Sequence, residues 1–224
     1  MSIATVIIGK SGTGKSASLR NLDPSQCLLI QAVDKPLPFK SRGWVRRDPA
    51  AKNPFNVFRT DSAAEICKAI EKTSKKIVVV DDFQYVLANE LMRRSDERGY
   101  DKFSDIARHG WDVFQAATSR PSDVRVYILS HSDEDEAGRV KLKTIGKMLD
   151  EKIVLEGLVT MVLRTEVMDG QYFFRTRNNG SDSTKSPMGM FNEERIANDL
   201  QAVDDAIRAF YDIDTNDAPA AEAA

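Results

Sequence analysis

The eight residues Gly9–Ser16, GKSGTGKS, restrict this chain more than any other stretch of it. They satisfy G-x-x-x-x-G-K-[ST] in full, after a short apolar run (Ile3–Ile8) and before KSASLRNL, a segment of helical composition. Glycines at such spacing let the backbone turn so that successive N–H groups and the start of a helix face phosphate oxygens. The lysine adds a mobile positive charge for the β- and γ-phosphates, and the serine hydroxyl a ligand for Mg²⁺. Gly9, Lys10, Ser11, Gly12, Thr13, Gly14, Lys15, Ser16 and Ala17 are therefore the candidate nucleotide-binding residues, with ATP and Mg²⁺ the expected ligands.

A nucleotide-bound Mg²⁺ also needs a carboxylate at a strand end beside the loop. KKIVVVDD reads as a fully buried strand of β-branched residues that ends in two acids. Asp81 is expected to join Ser16 as metal ligand, and Asp82 to position the attacking water. Asp34, at the end of CLLIQA, competes for the second role. Ligands of open α/β sheets bind at the carboxyl ends of strands, so His131, just after VRVYILS, is the candidate contact to a γ-phosphate.

Short apolar runs alternate with segments of helical spacing, which argues for an α/β fold with a mainly parallel central sheet flanked by helices. EGLVTMVLRTEVMDGQYFFRTR adds a C-terminal antiparallel hairpin at Asp169-Gly170, and Glu193–Phe210 has helical spacing. At 224 residues one domain is expected over 1–211, followed by an acidic, Ala-rich tail over 212–224 that reads as disordered. A formal net charge of −2 excludes a strongly basic, indiscriminate duplex binder, so nucleic-acid contact must come from a local patch. No apolar run is long enough to span a bilayer, and the start lacks the pattern of a secretory signal, so no membrane association and a cytoplasmic location are expected. Cys27 and Cys67 are far apart, and His109 and His131 are too few to complete a zinc site with them. Both are expected to be reduced packing residues.

Two cationic stretches remain. FFRTRNNG sets Arg175 and Arg177 on one face of a strand end, where like charges repel unless an anion lies opposite. SDEDEAGRVKLKTIGK places Arg139, Lys141, Lys143 and Lys147 behind an acidic block, with Lys141 and Lys143 in strand-like alternation. Such a loop either follows a sugar-phosphate backbone or is solvated surface.

In sequence order, the glycine loop, the Asp81 strand, the strand with a polar end and the hairpin resemble a RecA-like P-loop ATPase core. DKPLPFK, GKMLDEK and STKSPMGMF are similar to phage-encoded RecA-core ATPases, among them the Sak-type single-strand annealing recombinases, over Ile3 to about Phe191. The resemblance implies ATP hydrolysis at subunit interfaces and recombination or annealing of phage DNA in the host cytoplasm. Single-stranded DNA, further copies of the chain and a single-strand-binding protein are the implied partners. Arg175 and Arg177 become trans-acting fingers that reach the ATP of the next subunit. Because the loop starts at residue 9, a ring or a DNA-nucleated assembly is as open as a filament. A remodelling or loader ATPase, a small-molecule kinase and a non-hydrolysing DNA-binding module share parts of the pattern.

Overall fold

The computed structural model describes residues 2–48, 50, 53–120 and 123–213. Its first strand, β1 (Ile3–Gly9), leads into the glycine loop, and β2 (Cys27–Gln31) and β3 (Val57–Arg59) follow. Helix α1 (Ala63–Lys72) starts where the Ser62 side chain accepts from the Glu65 N–H, and it precedes β4 (Ile77–Asp81). Then come α2 (Gln84–Arg93), α3 (Asp101–Ser119), β5 (Arg125–Glu134) and β6 (Val140–Leu142). β7 (Met161–Met168), β8 (Gln171–Arg175), β9 (Arg195–Ala197) and α4 (Leu200–Phe210) follow.

Among the described residues eight strands lie in the order β3-β2-β4-β5-β1-β7-β8-β9, while β6 pairs with the far end of β5. From β3 to β7 all neighbours are parallel; β8 and β9 add on antiparallel. The fold is thus α/β, a mostly parallel sheet flanked by helices with an antiparallel hairpin near its C-terminal end. Alternation along the strands builds a core on each face. Val6, Ile8, Val78, Val80, Val126 and Ile128 pack with Ile66 and Ile70 of α1 and Val113 and Phe114 of α3. Ile7, Leu29, Val79, Tyr127 and Leu129 pack on the other face with Leu19 and with Val203 and Ile207 of α4.

A buried polar contact fixes α4 to the sheet. Asp204, 1% exposed, accepts from Arg125 Nε and Nη2 at 2.9 Å each and from the Tyr127 hydroxyl at 2.6 Å. Burial raises the Tyr127 pKa well above its ordinary value, with Asp204 adding to the effect, so the phenol remains a donor. Cys27 and Cys67 are free thiols, and burial pushes their pKa values up to about 12 and about 11. No helix among the described residues is long and apolar enough to cross a membrane.

Three local expectations change. After the glycine loop the chain forms a 3₁₀ helix over Ser16–Asn21 instead of an α-helix. Ser18 Oγ donates to the Lys15 carbonyl at 2.6 Å, a local bond that competes with regular helix geometry, and Asp23-Pro24 then stops the segment. The helical reading of Glu193–Phe210 also fails at its start. Arg195–Ala197 pairs with β8, and α4 begins only after Asp199, whose carboxylate accepts from the Gln201 N–H at 3.0 Å. Strand β5 runs past Ser130 to Glu134 because β6 pairs with its end. The tail expected over 212–224 lies, from residue 214 on, outside the described residues.

Candidate functional site

Register brings the site together. Gly9 lies opposite His131, and Gln31 opposite Asp81, so β1, β4 and β2 end along one edge of the sheet, level with His131 of β5. Because β5 separates β1 from β4, His131 falls between the glycine loop and the two acids.

Two glycines are required by their surroundings. A Cβ on Gly9 would lie 1.8 Å from Thr165 Oγ1, so the loop could not approach β7 with any side chain there. Gly14 has φ +93°, and a Cβ there would lie 2.9 Å from the Tyr172 ring. Thr13 Oγ1 donates to the Lys10 carbonyl at 2.7 Å and lies 2.6 Å from Thr165 Oγ1. The loop is therefore held to the hairpin that follows it by more than 150 residues.

Lys15 is 6% exposed, and its Nζ donates to the carbonyls of Gly9 and Lys10 at 2.8 Å each. Burial lowers its pKa to about 8, against the opposing pull of Asp82 and Asp81. Ser16 Oγ donates to Asp81 Oδ1 at 3.1 Å. The other oxygen, Asp81 Oδ2, is buried and is one of four buried side-chain polar atoms with no partner among the described residues. Burial first, and Asp82 second, push the Asp81 pKa up to about 6. Asp82 follows at φ +62°, a left-handed backbone that aspartate tolerates better than most residues. Its buried carboxylate lies 2.5 Å from Lys35 Nζ and 3.9 Å from His131 Nε2. Burial, helped by Lys15, lowers the His131 pKa and favours the neutral imidazole.

Ser11, Gly12, Gly14, Lys15, Ser16, Lys35, Asp82, His131 and Tyr172 line one cleft of about 460 Å³, within the range of ligand sites. Asp81 reaches this cleft through Ser16. The unpartnered carboxylate oxygen beside a hydroxyl suits a hard divalent cation that takes its remaining ligands from phosphate and water. No group of three or more His, Cys, Asp or Glu side chains forms a closed metal cage among the described residues. Mg²⁺ shared with a nucleotide requires none.

The sequence does not mark Lys35 or Tyr172 as site residues. Lys35 lies just past the end of β2, and the only sequence signal was its place after a buried strand in DKPLPFK. Asp34, the competing acid, is held by Arg46 at 2.7 Å and Arg59 at 3.0 Å and does not line the cleft. Gly9, Lys10 and Thr13 border a second cavity of about 440 Å³ on the β7 side, with Arg164, Glu166 and Arg195.

Arg175 and Arg177 have different surroundings. Arg175 is 6% exposed and donates through Nε to Glu166 at 2.7 Å, so the anion opposite it belongs to its own chain. Arg164, Arg175 and Arg195 stand in register across β7, β8 and β9, and Glu166 also accepts from Arg195 at 2.8 Å. Arg177 lies beyond the end of β8, is exposed, and donates through Nη2 to the carbonyls of Phe191 and Asn192. In the other cationic stretch, Lys141 and Lys143 flank buried Leu142, while Arg139 and Lys147 are exposed. Asp133 stands opposite Lys141 in register and 3.9 Å from Lys143 Nζ, so the acidic and basic blocks face each other.

The chain matches no protein-family model, and no curated protein matches it.

Proposed function

We propose that this chain is a Mg-ATP-dependent ATPase with a RecA-like P-loop core, acting as an oligomer on single-stranded DNA in phage recombination or annealing. The observation that carries the ATPase reading is the convergence of Lys15, Ser16, Asp81, Asp82 and His131 on one sheet edge, with Asp81 Oδ2 buried and unpartnered. The role in DNA recombination rests on the resemblance of the sequence to phage RecA-core ATPases. The interposed strand β5 supports the core assignment, because it carries His131 to the middle of the site.

In this reading Lys15 exchanges its two loop carbonyls for phosphate oxygens, and burial strengthens that contact. Asp81 and Ser16 would hold Mg²⁺, which when bound offsets phosphate charge. Asp82 accepts a hydrogen bond from the attacking water, and neutral His131 donates to the γ-phosphate. Arg177 is the candidate finger for a neighbouring subunit, since Arg175 is engaged with Glu166.

The test is steady-state ATP hydrolysis with and without single-stranded DNA, while mass photometry follows assembly. DNA-stimulated turnover accompanied by assembly is expected, and Lys15→Ala should abolish Mg-ATP binding. Unchanged turnover by a monomer would turn the reading to a small-molecule kinase.

A further inference from the structure

We propose that Lys35 distinguishes nucleoside triphosphates from diphosphates, by leaving Asp82 to pair with the γ-phosphate and thereby freeing Asp82 for water. This inference rests on the ATPase reading of the same site. Lys35 Nζ lies 2.5 Å from Asp82 Oδ2, and both residues line the cleft shared with Lys15, Ser16 and His131. The two partners differ in freedom. The Asp82 side chain is 4% exposed, whereas the Lys35 side chain is 41% exposed. Its backbone is held: the Lys35 carbonyl accepts from Gln31 Nε2 at 3.3 Å and from Arg46 Nη2 at 3.1 Å, and Pro36 follows at once. Only the flexible four-carbon stem is left to move.

Charge decides the direction of that movement. Lys15 and Lys35 bring two cations to the cleft, Asp82 is the carboxylate among its lining residues, and Asp81 stands behind Ser16. A glycine loop cradles the α- and β-phosphates, and the γ-phosphate extends beyond them toward the strand ends. Those strand ends are where Asp82, His131 and Lys35 meet. A γ-phosphate brings negative charge beside Asp82, and an ammonium with three donors is the group able to move between the two. A diphosphate leaves the Lys35–Asp82 pair closed, with the water-positioning carboxylate occupied. The arrangement thus ties release of Asp82 to arrival of the hydrolysable phosphate.

A four-protein cycle tests this: wild type, Lys35→Met, Asp82→Asn and the double variant, each full length. Calorimetric titration with Mg-ADP and with the non-hydrolysable Mg-AMPPNP gives the affinities, and Lys35→Arg is the rescue. Thermal melts check that each variant folds. If Lys35 contacts the γ-phosphate, Lys35→Met costs about tenfold or more in AMPPNP affinity, as expected for a charge-assisted hydrogen bond, and leaves ADP affinity in place. That loss persists in the Asp82→Asn background, and Lys35→Arg recovers part of it. If Lys35 only neutralises Asp82, Lys35→Met costs nothing once Asp82 is Asn, and the proposal is overturned. Equal losses for both nucleotides also overturn it. Wild-type protein that binds neither nucleotide would instead sink the ATPase reading on which the proposal stands.

Discussion

Asp81 is buried where its charge is poorly compensated, with one oxygen bonded to Ser16 and the other without a partner among the described residues. Its pKa is raised from the ordinary 3.8 to about 6, so between those values the native state binds a proton that the unfolded chain releases. The stabilisation from that proton is complete below the ordinary carboxylate range and is lost as pH rises through about 6. Above that pH the ionised carboxylate burdens the fold, a strain of the kind kept at functional sites. Asp81→Asn keeps the acceptor for Ser16 and removes the charge. Thermal melts at pH 7.5 should show this variant more stable than wild type, with the gap narrowing at pH 5, while Mg-dependent nucleotide binding is lost. A lower melting temperature at pH 7.5 would mean that Lys15 and Lys35 outweigh burial.

At the scale of elements, two ion-pair clusters hold pieces distant in sequence. The Arg125–Tyr127–Asp204 cluster joins α4 to β5, and removing Asp204 would leave a buried guanidinium uncompensated. Asp204→Ala should cost about 3–5 kcal/mol in urea unfolding, the range for breaking a buried pair. Glu166 binds β7, β8 and β9 through Arg175 and Arg195. That divides the two hairpin arginines by role. Arg175→Ala should destabilise the fold by about 1.5–3 kcal/mol, as for a lost hydrogen bond to a charged group. Arg177→Ala should leave the melting temperature and ATP affinity near wild type and reduce turnover of the assembled protein. Normal hydrolysis by assembled Arg177→Ala protein would remove the finger assignment.

For the whole molecule, protein concentration separates a site complete within one chain from one shared between chains. Lys15, Lys35 and His131 line the cleft from within the chain, and Arg175 is engaged with Glu166. If a neighbour supplies the remaining cation through Arg177, specific ATPase activity should rise with protein concentration in the range where mass photometry records assembly. Activity per chain that is flat across that range would place the complete site in one chain. The facing of Asp133 against Lys141 and Lys143 weakens the β5–β6 hairpin as a DNA-tracking surface. Charge-reversal of Arg139 and Lys147, which are exposed, should reduce single-stranded DNA affinity and its salt dependence if the hairpin nonetheless carries the contact.

Much of this was legible along the chain because it is written locally. The strand-loop-helix spacing marked Gly9–Ser16, the β-branched run pointed to Asp81 and Asp82, and Asp169-Gly170 marked the hairpin turn. Each depends on side-chain periodicity or turn chemistry within a few residues. What only the tertiary structure decided depends on register between distant strands. Lys35 meets Asp82 because β2 and β4 end side by side, and Arg175 is buried because Glu166 of β7 lies within reach of it. Arg195–Ala197 is a strand because β8 presents an open edge to it, and Asp34 is engaged elsewhere because Arg46 and Arg59 reach it first. Periodicity fixes which way a side chain points. Only the packed sheet fixes what it meets.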